Sequence, residues 1–191
     1  MKKTLLLLLA LIGFSNQSNA QMYYGNGFLC LDCYANIEIG GNMTMLSGMD
    51  KAKSKIGFSA SLNNYKEINE NIYLKFGFSY NNLGVKFEDN IDDLVIHTIG
   101  GNIGINYLQQ RDYQFFGGFQ LEGNLLKNSV YRDDFEIKFL TYSVYAGAGL
   151  IFAENIELSV KYNLGLANLS ENPDYKLKRN YLTLSLGYTF L

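Results

Sequence analysis

The chain is poor in the residues that most chemistry needs. It has one proline, no tryptophan, a single histidine and only two cysteines in 191 residues. One Cys pair is too few for a structural zinc site, which takes about four ligands. A lone histidine, His97, gives little scope for Ser/His nucleophilic chemistry, which needs a base held beside its nucleophile. With 18 acids against 16 bases the formal charge is −2, so nothing electrostatic points to nucleic acid. After the first segment no apolar stretch approaches the roughly twenty residues of a transmembrane helix. What the chain does have is 19 glycines, 15 tyrosines and 13 phenylalanines, a composition rich in strand and turn formers.

The first segment, MKKTLLLLLALIGFSNQSNAQ, reads as a cleaved signal peptide over residues 1–20. Lys2 and Lys3 form a basic start, and Thr4–Phe14 is an apolar run too short to span a bilayer. Ser18-Asn19-Ala20 before Gln21 fits the peptidase site. No cysteine ends the apolar run, which argues against a lipoprotein. Removing two lysines would leave 14 bases against 18 acids, a charge of −4. The expected organisation is then a short periplasmic segment, 21–33, followed by one domain, 34–191.

That domain carries a period of two. In the terminal YLTLSLGYTFL, Leu182, Leu184, Leu186, Tyr188 and Phe190 share one face, and Tyr181, Thr183, Ser185, Gly187 and Thr189 the other. The stretches 156–166 and 72–80 repeat this pattern. Softer-edged strands are expected at Ala35–Leu46, Lys55–Tyr65, Ile96–Leu108, Gln114–Leu125 and Phe139–Phe152. This makes about eight strands, each long enough to cross an outer membrane when tilted. The connectors alternate. Those after the second, fourth and sixth strands are short, whereas NLGVKFEDNIDD, LKNSVYRDDFE and NLSENPDYKLKRN are longer and polar.

The expected fold is therefore all-β: an antiparallel up-and-down transmembrane β-barrel of about eight strands, with its short turns in the periplasm. A soluble sandwich or lipocalin-like barrel would share the period but would not need nearly every strand to be so long. Tyr65, Tyr107, Tyr113, Phe152, Tyr188 and Phe190 are expected to form an aromatic girdle at the periplasmic interface. In such a fold the final strand must pair with the first, leaving no open edge in lipid.

The last two strands, LSVKYNLGLANLS and YLTLSLGYTFL, resemble those of the PorT-like, OmpA-like outer-membrane β-barrel family of Bacteroidetes. The resemblance implies location in the outer membrane and insertion by the barrel-assembly machinery, which reads a C-terminal strand ending in an aromatic. Leu182, Leu184, Leu186, Tyr188 and Phe190 would carry that signal, although here Leu191 follows the final aromatic. It also implies a role in assisting an envelope assembly or secretion machine.

Inside so narrow a barrel the side chains themselves fill the lumen. The expected inward charges are Glu38, Lys55, Lys75, Glu122, Glu157 and Lys161. These acids and bases would satisfy one another, with inward glycines leaving them room. This reads as a polar plug, with a narrow porin-like channel as the alternative. His97 is expected to point outward with Ile99, away from any serine, so a lipid A-modifying enzyme is the weaker alternative. Asp92-Asp93 and Asp133-Asp134 read as solvated loop charges, and Lys176, Lys178 and Arg179 as ordinary rim charges. Cys30 and Cys33 would close a local disulfide in an oxidising periplasm. No catalytic residue, metal or cofactor is expected. The expected partners are outer-membrane lipid and lipopolysaccharide, the assembly machinery during insertion, and an envelope protein, with a structural or partner-binding role.

Overall fold

Eight strands with large apolar side chains at alternate positions build the wall. The computed structural model describes residues 30, 33–48, 52–87, 94–109, 112–128, 137–152, 155–172 and 176–190. The strands are β1 (Tyr34–Ser47), β2 (Ala52–Asn69), β3 (Ile72–Phe87), β4 (Leu94–Gln109), β5 (Tyr113–Asn128), β6 (Leu140–Phe152), β7 (Ile156–Gly165) and β8 (Lys178–Phe190). Each pairs antiparallel with the next, and β8 closes on β1 from Ala35↔Phe190 to Ser47↔Lys178. Closure leaves no backbone edge to be satisfied by lipid. The expected signal peptide, most of segment 21–33, both acid pairs and Leu191 lie outside the described residues.

Outward positions are apolar over a band that runs from Ile72 to Tyr80 on β3 and from Ile99 to Tyr107 on β4. That is about nine residues, the length a tilted strand needs to cross the hydrocarbon. Phe78, Ile103, Phe119, Leu184 and Leu186 are all about half exposed on this outer face. Tyr107, Tyr113, Phe152, Tyr188 and Phe190 ring the end with the short turns, and the Tyr188 and Phe190 rings meet edge-on at 5.0 Å. Tyr65 corrects the expectation. It is only 6% exposed and its ring lies in the lumen, under the ammonium of Lys75.

The wall continues past the lipid at its outer end, and there the polarity inverts. β3 runs on to Phe87, so the first half of the segment expected as a loop is strand. Inward positions there are Leu83 and Val85, facing Ile96 and Leu94 of β4, all buried. Outward positions are Asn82 and the exposed Lys86. A bulge in β2 between Ser54 and Ser59 shifts its alternation by one residue, turning Ala52 inward and Lys53 outward. Such a wall suits water outside and an apolar core inside. The core is completed from the opposite side by Leu169 and Leu177 of the β7–β8 connection, with Leu46, Ala52 and Ile137 packed against it. An Ile137↔Ser170 bridge and the Lys138 N–H to Leu169 carbonyl bond (2.9 Å) hold this connection over the mouth.

Two substitutions test the boundary between lipid-facing and water-facing wall. Leu186→Arg, at mid-height of β8, is expected to cost about 2–4 kcal/mol in urea unfolding from lipid vesicles. Lys86→Leu, above the band, is expected to change stability by less than about 0.5 kcal/mol. Equal losses would contradict the assigned boundary.

Candidate functional site

The lumen holds two clusters of buried charge. In the first, Lys75 Nζ donates to Glu38 Oε1 at 2.8 Å, and both side chains are under a tenth exposed. Asn63 Nδ2 and Ser61 Oγ also donate to that carboxylate, at 2.9 and 3.2 Å. The ammonium lies over the rings of Phe116 (4.7 Å to its centroid) and Tyr65 (5.3 Å). Aromatic faces carry negative charge density and so replace part of the water it has lost. Lys161 stacks likewise over Tyr145, with Nζ 5.7 Å from the centroid. Glu157 is buried beside Gly187, and one of its oxygens accepts no hydrogen bond among the described residues.

The second cluster centres on Glu122, which is 2% exposed. Arg179 Nη2 donates to Oε2 at 2.8 Å, while Tyr181 Oη (3.0 Å), Gln120 Nε2 (3.2 Å), Thr98 Oγ1 (3.2 Å) and Asn81 Nδ2 (3.3 Å) donate to Oε1. The remaining donors of Arg179 reach Asn124 Oδ1 (2.8 Å) and Thr141 Oγ1 (3.2 Å). Beside this cluster is a cavity of about 10 Å³, lined in part by Glu122, Ser143 and Arg179. That is room for about one water molecule.

Glycines make this filling possible. A Cβ on Gly147 would stand 2.5 Å from the Phe116 ring, and one on Gly187 would stand 2.6 Å from Cγ of Glu157. Both contacts are closer than real Cβ atoms approach, so larger residues there would expel the side chains they face.

Of the expected inward charges, the structure places Glu38, Lys75, Glu122, Glu157 and Lys161 in the lumen. Lys55 stands nearer the outer end. It is partly exposed, directly opposite buried Thr44 of β1, with Cδ beside Gly84 at the β2 bulge. Arg179, expected at the rim, is 5% exposed and is the cation of the second cluster. Sequence reasoning also missed Phe116, Tyr145 and Tyr65 as lumen residues. The one available signal was parity: each is an even number of positions from an inward glycine or polar residue on its own strand.

His97 faces outward, and its Nδ1 lies 2.7 Å from Tyr80 Oη, with Ile99 exposed on the same face. Among the described contacts no serine or carboxylate joins this pair, and among the described residues no group of three His, Cys, Asp or Glu could hold a metal ion. Cys30 and Cys33 are joined in a disulfide, and Cys33 is fully buried. Leu182, Leu184, Leu186, Tyr188 and Phe190 alternate outward along β8.

Removing one member of a buried ion pair strands the other's charge, typically at about 3–5 kcal/mol. Glu122→Gln and Arg179→Met are each expected to lower unfolding stability in micelles by an amount of that order. The double variant is expected to lose less than the sum of the two. Additive losses would contradict direct coupling.

The outer membrane protein beta-barrel domain matches residues 4–190. No curated protein sequence matches the chain. Among solved structures, Neisserial surface protein A is similar in fold, with a TM-score of 0.56 at 16% identity over 83% of this chain and 97% of that one. The outer membrane protein OprG from Pseudomonas aeruginosa gives 0.51 at 11% identity, over 83% and 96%. Ail, the attachment invasion locus protein of Yersinia pestis, gives 0.48 at 18% identity, over 83% and 99%. The closed antiparallel wall, the lipid-facing band and the extent of the family match lead to one conclusion: the chain belongs to the outer membrane protein beta-barrel domain family and resides in the outer membrane.

Proposed function

We propose that this barrel is a sealed, non-catalytic wall protein whose role is structural or partner-binding. The observation that carries the reading is the filled lumen. Two ion-paired clusters and the apolar cap over the mouth occupy the path a solute would take. Ions cross such an interior only if buried pairs separate, and each separation leaves uncompensated charge. The absence of catalysis is supported by the setting of His97, whose described hydrogen-bond partner is a tyrosine on the lipid-facing side.

With the lumen closed, the surfaces left for contact are the outer collar, the connections above it and the periplasmic segment leading to Cys33. An envelope protein docked there would fit the resemblance to PorT-like barrels, and with it a part in assisting an assembly or secretion machine. The alternating face of β8 fits recognition by the barrel-assembly machinery during insertion.

Planar-bilayer recordings of the refolded protein test the sealed reading. Current indistinguishable from the bare bilayer is expected for the wild type. Discrete openings are expected for a variant that weakens all three barriers, Lys75→Ala and Arg179→Ala with Leu177→Asp. Stable openings of the wild type would overturn the proposal and establish a narrow channel.

A further inference from the structure

We infer that the lumen holds a small inorganic anion, of the size of chloride, at Lys161 between the two charge clusters. Lys161 is the odd cation of the interior. Glu38, Lys75, Glu122, Glu157 and Arg179 are buried, whereas Lys161, inward between outward Val160 and Tyr162, keeps part of its surface free. Its ammonium makes no hydrogen bond or ion pair among the described residues, and it lies over the Tyr145 ring at 5.7 Å from the centroid. An aromatic face offsets part of that charge but cannot replace a counter-ion.

The carboxylates of the lumen are engaged or turned away. Glu38 accepts from Lys75, Asn63 and Ser61. Glu122 accepts from Arg179, Tyr181, Gln120, Thr98 and Asn81. Glu157 shares β7 with Lys161 but leans the other way. It lies over Gly187 of β8, while Lys161 lies over Tyr145 of β6.

Donors without acceptors stand beside this ammonium. Asn163, two positions along the same inward face, is fully buried, and neither atom of its amide has a hydrogen-bond partner among the described residues. Tyr145 is directly opposite Asn163, and its hydroxyl is unpartnered too. That hydroxyl lies over two glycines, where a Cβ on Gly104 or Gly118 would stand 2.5 or 2.8 Å from it. Gly147, directly opposite Lys161, puts no side chain into the space between them. Each unmatched donor in so dry an interior carries the cost of its lost hydration. Water at this place would answer the amide and the phenol but leave the charge uncompensated. A halide accepts from several donors at once and also cancels the charge. A lumen filled above and below leaves room for a monatomic ion, not for sulfate or an organic acid. The inference goes beyond the sealed-barrel reading and does not depend on it, since an open lumen would carry the same site.

Urea unfolding from micelles tests it, with sodium chloride exchanged for sodium gluconate at constant ionic strength. An ion that binds only the folded barrel stabilises it by mass action. The wild-type equilibrium is expected to shift toward the folded state about tenfold for each tenfold rise in chloride above the dissociation constant. Lys161→Met, which removes the charge and keeps the stem, is expected to lose this dependence. Tyr145→Phe should move it to higher chloride, while Lys66→Gln, exposed at the periplasmic end of β2, should leave it unchanged. Should Lys161→Met fail to fold, crystals of wild type refolded in bromide give a second reading, with an anomalous peak expected beside Lys161. A wild-type barrel indifferent to chloride would overturn the proposal and leave water at the site. Undiminished chloride dependence in Lys161→Met, or bromide crystals without that peak, would overturn it as well.

Discussion

The carboxylate of Glu122 is the group on which the interior depends. Buried between hydrocarbon-facing walls, it needs the protein to supply the hydrogen bonds that water would. Five donors do so, from β3 (Asn81), β4 (Thr98), β5 (Gln120) and β8 (Tyr181, Arg179). Because β8 lies across the lumen from β3 and β4, the same bonds that satisfy the charge tie opposite sides of the cylinder together. Glu38 plays the parallel role in the other cluster, joining β1, β2 and β3 through Ser61, Asn63 and Lys75. Such pairs add little net stability over an apolar filling of the same volume. What they impose is uniqueness, because every alternative packing leaves a buried charge without partners.

A barrel wall faces two different outsides. Where hydrocarbon surrounds it, the large apolar residues point out and the polar ones in. Above the lipid that preference reverses, and β2, β3 and β4 reverse with it. Leu83, Val85, Leu94 and Ile96 turn inward to be covered by Leu169 and Leu177. The outer mouth is thus a small water-soluble core set on top of a membrane barrel. The β2 bulge makes the reversal possible without breaking the strand, since one extra residue exchanges the two faces.

The same reversal explains what the sequence made legible. All eight strands could be located from alternation, because one lipid-facing band forces period two wherever it passes. NLGVKF, in contrast, read as loop because its inward residues are apolar and its outward ones polar, the opposite of the strand it extends. Arg179 read as a rim charge because KLKRN gives no sign of which basic residue turns inward; only its pairing opposite Leu46 settles that. Tyr65 read as girdle because a tyrosine near a strand end fits either face. Its inward parity was visible, but its role under the Lys75 ammonium required β3 beside it.

The central claim is that the lumen is filled and closed to solvent along its length. Cysteine accessibility tests it most directly. Ser79, 4% exposed and bonded to Gln120 in the second cluster, sits on the path a solute would take. A Ser79→Cys variant folded in vesicles, with Cys30 and Cys33 held as a disulfide, offers one thiol to a charged, water-soluble reagent. No labelling is expected until the barrel is unfolded. Rapid labelling of the folded barrel would contradict it.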